Sequence, residues 1–467
     1  MGKPIPFLTL PGQRGTGILD SRCVNVLFEI QVNPVTEEQK VYVVKRPGLA
    51  NSTQPPGGAA AGRGLYGWNL TGKIYSVFAN KVYSGVTDLG VTLAGSVGRV
   101  WWTEIPVGSG APQLVLSDGA DNYNITTADA ITQIDATDDA QYPASNLGSV
   151  VYLDGYLFQA LGNGQIWQSD LNSLVAWTAG NFISIDTTSS PLSAIVRLRD
   201  QIVAFTWEKI EFFFNNGNPS GSVLLRIDQN TLGIGGFFQT IAQAGDVIIF
   251  VGTQTEGATN RQVYMMTPGS VKKISTFVLE RILESETTEF SAWMAQASGQ
   301  MVYVLNCLGS NRTFVYHVES GLWCEWANTS GDVEFNGAWT TSLETVVYVQ
   351  DVSNGRIYTL SNTTYQDSGV DFPVRITTNR SNHGSQERKF EQSLSVIGDT
   401  TTGSLEVSTS DNDFSTFNTA RPIDMSLPVK RLYRLGSFYE RAHRFTYTNN
   451  AALRLQAFVP ELTAGKH

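Results

Sequence analysis

Between Val150 and Asp170 the chain reads VVYLDGYLFQALGNGQIWQSD, an apolar strand pattern broken at Asp154-Gly155 and again at Gly162-Asn163-Gly164. Asp-Gly and Asn-Gly pairs supply the positive φ that tight hairpin turns require, so the stretch predicts strand, turn, strand, turn, strand. A meander of this kind buries little by itself and becomes stable when copies pack side by side. The chain supplies the copies. Aromatic strands recur at Tyr83, Tyr123, Trp167, Phe213, Tyr264, Tyr316 and Tyr358, at intervals of 40, 44, 46, 51, 52 and 42 residues. Each follows an apolar strand, such as QLVLSDG, QIVAF, DVIIFVG or TVVYVQD. A period of about 40–50 residues with four short strands per unit is the pattern of β-propeller blades. Seven blades fit best, and six or eight also fit. The repeats share a pattern of residue types and no WD or Kelch motif.

The predicted class is all-β: an N-terminal strand arm and loop over residues 1–64, a β-propeller over 65–370 and a C-terminal β-sandwich over 371–467. The arm pairs CVNVLFEIQVNP with EEQKVYVVKRPGLA and ends at Arg46-Pro47-Gly48, before the small-residue loop NSTQPPGGAAAGRG. One helix interrupts the blades, with Phe277, Val278, Arg281 and Ile282 at helical spacing after a Ser275 N-cap. Beyond SNTTYQDSGVDFP the blade spacing is lost. Alternating strands such as FEQSLSVIG, GSLEVSTS and RLGSFYERAHRFTYT then predict the sandwich.

Charged residues are 16% of the chain, low against a typical ~25%, and Gly, Thr, Asn and Ser fill the surface as in β-rich secreted or virion proteins. No apolar run approaches the ~20 residues that span a bilayer. The opening MGKPIPFLTLPGQRG does not read as a secretory leader. Cys23, Cys307 and Cys324 are too few for a disulfide framework and read as unpaired thiols of a protein made in a reducing cytosol.

Catalytic patterns are sparse. His317, His383, His443 and His467 have no metal-ligand spacing, and there is no Cys-x-x-Cys, Walker A loop or Gly-x-Ser-x-Gly elbow. Gly233-Ile-Gly235-Gly236 precedes a strand, so it does not cradle a phosphate at a helix N-terminus. Asp118-Gly-Ala-Asp121-Asn122 has oxygen ligands for Ca²⁺ but reads as a turn. Asp135, Asp138 and Asp139 invite comparison with a glycosidase acid pair, which residue identity alone does not license. No enzyme activity, cofactor or metal is expected.

Charge is unevenly spread. Residues 371–467 hold twelve Lys/Arg and ten Asp/Glu, so the rest carries −12 of the total −10. Between Arg99 and Arg197 there is no basic residue and there are ten acids, among them Asp135, Asp138 and Asp139. Such a face repels polyanions. The C-terminal segment instead places Arg431, Arg434, Arg441 and Arg444 among Tyr433 and Tyr439, a pattern of nucleic-acid binding or, better suited to alternation in a hairpin, of protein–protein contact.

The arm with VVKRPGLA, the pair LRDQIVAFTWEKIEFFFNNGNPSG and NTLGIGG, the helix VKKISTFVLERIL and the ending VKRLYRLGSFYERAHRFTYT together resemble the tail nozzle, or packaged-DNA stabilisation, proteins of short-tailed bacteriophages. The resemblance runs in order over most of the chain, and Arg199-Asp200 with Ile210-Glu211-Phe212-Phe213 is its most specific part. It implies a homohexameric ring beneath the portal and adaptor rings of the virion. That ring would meet the adaptor, tail fibres or tailspikes and a tail needle or plug. It would retain packaged duplex DNA and let it pass at ejection without specific binding. The family brings no catalytic residues. On this reading Asp135, Asp138 and Asp139 sit on an acidic lumen, and Arg431, Tyr433, Arg434, Tyr439, Arg441 and Arg444 form assembly contacts. The alternative is a glycan-binding or glycan-cleaving propeller, such as a receptor-binding tail protein, which needs converging carboxylates or a metal at the propeller axis.

Overall fold

A computed structural model describes residues 4–7, 22–32, 39–55, 57–106, 110–144, 146–185, 190–227, 231–254, 260–286 and 290–464. They gather into two compact units that interleave along the chain. Unit one comprises Met1–Asn51, Gln296–Asn336 and Thr359–His467; unit two comprises Ser52–Ala295 and Gly337–Tyr358.

Unit two repeats one motif. Antiparallel four-stranded meanders run through Gly62–Trp68 to Thr87–Thr92, Trp101–Ile105 to Ile131–Ile134, Asn146–Leu153 to Phe182–Ser184, Leu192–Leu198 to Leu224–Arg226 and Ala242–Ala244 to Ser270–Lys273. The turns are those the sequence predicts: Asp154 and Gly155 both take positive φ, +50° and +93°, between the first two strands of the third meander. First strands of successive meanders lie side by side, Trp101–Ile105 by Asn146–Leu153 and the latter by Leu192–Leu198. Apolar wedges fill the spaces between meanders, for instance Trp68, Tyr75 and Leu93 against Leu114, Leu116 and Tyr123. These are propeller blades.

Two more groups of strands follow along the chain. Phe290–Ala297, Gln300–Cys307, Arg312–His317 and Trp323–Trp326 follow in chain order, the last three in unit one. Gly337–Leu343, Val346–Asp351 and Ile357–Ser361 are the seventh group in chain order. Leu65, Phe78 and Tyr83 of the first meander pack on Ala338, Trp339 and Ile357 of the seventh. All seven recurrent aromatics lie on the third strand of their group, as the period predicts. Six are buried; Trp167 is half-buried and stacks on Phe182 with ring centres 5.0 Å apart.

The helix is Phe277–Ser285, with one difference from the expectation. Its N-cap is Thr276, whose side chain accepts from the Leu279 N–H, while the Ser275 hydroxyl donates to Glu280 at 2.7 Å. Leu279, Ile282 and Leu283 are its buried face, whereas Phe277 is 79% exposed.

Among the described residues of unit one there are two large sheets, besides a short pairing of Asp367 with Leu49. In one, Val26–Val32, Gln39–Lys45, Arg454–Ala464, Lys389–Gly398 and Arg431–Phe438 follow side by side; in the other, Arg22–Val24 lies between Trp323–Trp326 and Val374–Thr377, followed by Ala442–Tyr447, Ser404–Ser410 and Arg421–Asp424. Phe7 and Phe458 of the first sheet's side meet Phe445 of the second at 4.9 and 5.4 Å. Strands of the C-terminal segment lie in both sheets, and the strands expected as a separate N-terminal arm belong to the same two sheets. Their partner Arg454–Ala464 lies about the whole chain away, beyond the reach of local pattern.

Arg46 is central to this unit. Its guanidinium is wholly buried and uses all five donors: Nε to Asn25 Oδ1 at 2.8 Å, Nη1 to Pro47 O and Asp367 Oδ1 at 3.0 Å each, Nη2 to Ala327 O at 3.0 Å and Asp367 Oδ2 at 2.5 Å. Its plane lies 3.8 Å from the Phe372 ring centre. Two residues on, Gly48 is required because a Cβ there would stand 2.2 Å from the Gln366 carbonyl oxygen.

Candidate functional site

The acidic candidates form a turn. Asp135 Oδ1 accepts from the Thr137 N–H at 2.7 Å and its hydroxyl at 2.6 Å, and Asp139 accepts from the Trp177 N–H at 2.9 Å and the Gln141 N–H at 2.8 Å. These hydrogen bonds, led by the Thr137 side chain for Asp135 and the Trp177 N–H for Asp139, hold both carboxyls below the usual range. Asp138 is exposed and accepts from the Asp135 N–H at 3.2 Å. A glycosidase general acid needs a carboxyl raised towards neutrality, and here the shifts of Asp135 and Asp139 run the other way. Asp118 is likewise a turn former: Oδ1 accepts from the Ala120 and Asp121 N–H groups and Oδ2 from the Gly95 N–H. The Gly235 and Gly236 N–H groups go to the Thr253 and Thr206 carbonyls, and a Cβ on Gly235 would lie 1.8 Å from Trp207 O, so these glycines serve a close crossing of backbones.

Arg99 forms a cation–aromatic stack beside the first strands of the second and seventh meanders. The Arg99 guanidinium lies 4.1 Å from the Trp101 ring and 4.9 Å from the Trp339 ring, donates to Ile241 O at 2.5 Å, and Trp101 meets Phe238 at 5.7 Å. Residues of the second, fifth and seventh meanders are thereby joined. Among the described residues no group of three or more His, Cys, Asp or Glu side chains is placed to hold a metal ion, and no helix is long and apolar enough to cross a membrane.

The basic candidates separate into two kinds. Arg431, Tyr433 and Arg434 are exposed on Arg431–Phe438, the last strand of its sheet, with Tyr439 just beyond; both tyrosines are 57% exposed. Arg431 Nε donates to Ser395 Oγ at 2.7 Å. Positive φ at Arg434 and Gly436 and a register shift opposite Glu391 and Ser393 break the ladder there, which discourages open-ended strand pairing. Arg441 is 3% exposed and belongs to the interior: it pairs with Glu391 at 2.9 Å and Asp411 at 2.7 Å, while His443 Nε2 lies 3.0 Å from Glu391. Burial works to raise the Glu391 carboxyl, yet the His443 hydrogen bond and the Arg441 pair outweigh it and hold it low. Arg441 therefore offers a partner nothing. Arg444 is half-buried on the outer face of the second sheet, its guanidinium 3.4 Å from the Phe417 ring centre.

Sequence reasoning passed over a second charged cluster on that face. Glu325 takes bidentate hydrogen bonds from Arg22 at 2.8 and 2.9 Å and from Arg312 at 2.6 and 3.1 Å, and Arg375 pairs with Asp332 at 2.6 Å. Burial pushes Glu325 up, but the two arginines prevail and keep it low. Alternation within Arg375-Ile376-Thr377 hinted at an outward arginine; its neighbours come from distant strands that only pairing reveals.

A family model described as bacteriophage P22 Gp10, β-propeller (Phage_stabilise) matches residues 12–365. No curated protein matches the chain. Similar solved structures include virginiamycin B lyase from Staphylococcus aureus, 12% identical over 68% of this chain and 98% of that one with a TM-score of 0.43. The computationally designed Ika8 protein is 10% identical over 68% and 99%, TM-score 0.40. The N-terminal domain of Nup159 is 10% identical over 73% and 98%, TM-score 0.38.

Proposed function

This chain belongs to that family of phage packaged-DNA stabilisation β-propeller proteins, and from this membership we propose that it is a tail-nozzle subunit. Six copies form a ring below the portal and adaptor, retain the packaged duplex and line its path at ejection. The observation that carries the reading beyond the family is the segregation of charge. The stretch between Arg99 and Arg197, which spans the second and third meanders, has ten acids and no Lys or Arg, with Asp138 exposed at a turn. Walls of arginine would hold DNA phosphates through counterion release, whereas acidic walls let the duplex slide. Closed rings need two different surfaces on each subunit, and Arg431, Tyr433, Arg434 and Tyr439 supply aromatic and arginine anchors of the kind enriched at interfaces.

The test is particle assembly with Asp138→Lys in the full chain. Slower, salt-dependent DNA ejection is expected; an unchanged ejection rate would contradict an acidic lumen at this turn.

A further inference from the structure

We infer that the outer face of the second sheet of unit one carries a carboxylate socket centred on Arg444, filled by an acidic side chain of a second copy of this chain. The inference rests on the ring proposed above and adds to it the place and chemistry of one contact.

Register sets the socket out. Arg22, Thr377, Arg444 and Ser408 are directly opposed across four neighbouring strands and so share a face, and Arg375, Thr446 and Glu406 form the next row. Around this face stand four arginines and two well-paired carboxylates. Glu325 is shared by Arg22 and Arg312, and Asp332 is taken by Arg375. Among the described residues Arg444 has no carboxylate at pairing distance, and its Nε is a buried donor without an acceptor. Burial first, then the neighbouring charges of Arg375 and Arg22, disfavour its charged form, and Asp332 only partly offsets them. Phe417 covers one face of the guanidinium and fixes its plane. A planar, oriented guanidinium with its donor edge unused is matched by a planar two-oxygen acceptor.

The acceptor is a carboxylate from protein in preference to a DNA phosphate. A phosphate track needs successive basic residues free of acids, and here Asp332 and Glu406 flank the position. The stretch between Arg99 and Arg197 of another copy holds ten acids and no Lys or Arg of its own, and of these Asp129 is already paired with Lys73. One such acid would give Arg444 the paired carboxylate that Glu325 and Asp332 give Arg22, Arg312 and Arg375.

The test uses the full chain. Arg444→Gln should weaken self-association by about tenfold or more with an unchanged melting temperature. If Arg444→Gln lowers the melting temperature, Arg444→Lys decides: a carbodiimide should join the new amine to an acid between residues 100 and 196 of another copy, read by mass spectrometry of the linked peptides. A wild-type chain that stays monomeric would overturn the ring and the socket together. A wild type that assembles, with Arg444→Gln assembling equally well or Arg444→Lys linking only to acids of its own copy, would overturn the socket alone. Salt-sensitive binding of a duplex probe that disappears in Arg444→Gln would assign the face to nucleic acid and overturn it as well.

Discussion

Arg46 and Asp367, 321 positions apart, meet in a two-point ion pair at 3.0 and 2.5 Å with the guanidinium wholly buried. Asp367 Oδ1 also accepts from the Leu49 N–H at 3.1 Å, so the pair holds the chain where it enters Gly48–Thr53. Removing one member of a buried pair leaves an uncompensated charge and costs about 3–5 kcal/mol. Arg46→Met should lower the urea midpoint of the full chain accordingly. Arg46→Lys keeps the charge and loses the fork, so it should fall between the two; a Lys variant as stable as wild type would contradict the five-donor account.

Lys45, next in sequence, points to the Asn449 carbonyl at 2.9 Å and lies 4.3 Å from the Phe372 ring. Burial, with Arg46 adding repulsion, brings its pKa down from 10.5 to about 8. A lowered amine binds fewer protons folded than unfolded between about 8 and 10.5, so stability rises with pH across that window. Relative to Lys45→Met, wild type should gain stability as pH climbs from 8 to 10. A difference that is flat or falls in urea titrations over this range would contradict the assignment.

Glu391 carries the opposite limb. Its carboxyl is held below the ordinary value by His443 and Arg441, so its contribution is present above the unfolded value of about 4.3 and is lost as pH falls through the lower folded one. The stability gap between wild type and Glu391→Gln should be constant from pH 5 to 7 and shrink in more acidic buffer. A gap that widens on acidification would contradict it.

The arginines of the C-terminal strands should divide by burial. Arg441→Glu places an acid against Glu391 and Asp411 and should prevent stable folding. Arg431→Glu and Arg434→Glu change exposed groups and should shift stability by no more than about 0.5 kcal/mol while impairing assembly. Equal melting temperatures for all three variants would refute the burial of Arg441.

Truncating the third-strand aromatics gives a graded series. Tyr123 is buried and its hydroxyl accepts from the Ala94 N–H at 2.9 Å, so Tyr123→Ala should cost about 3–5 kcal/mol. Trp167, half-buried, should cost clearly less. Equal losses would mean that the positions are not graded by burial.

The blades were legible because each is built from neighbours in sequence: Asp154-Gly155 turns one strand onto the next, and Tyr123 or Tyr264 recurs where the wedge between sheets needs filling. The sandwich was half legible. Alternation in FEQSLSVIG marks a strand, but nothing local says that Gln39–Lys45 joins Arg454–Ala464 or that Arg46 seeks Asp367. Arg441 was misread for a related reason. The irregularity at Arg434 and Gly436 disturbs the two-residue alternation, so outward and inward arginines cannot be told apart by parity. The Arg444 face was invisible as a unit, since Arg22, Arg312 and Arg375 reach it from strands far apart in sequence.

The central claim is that this subunit keeps packaged DNA inside the particle, and complementation measures it directly. Particles filled in the absence of this chain are mixed with the purified full-length protein, and nuclease-accessible DNA is followed with time. The account predicts that wild type, bound as a ring of six chains of 51.0 kDa, sharply reduces the accessible fraction, and that Arg431→Glu/Arg434→Glu fails to do so. Equal DNA loss with and without the added wild-type protein, under conditions where it binds the particles, would contradict the claim.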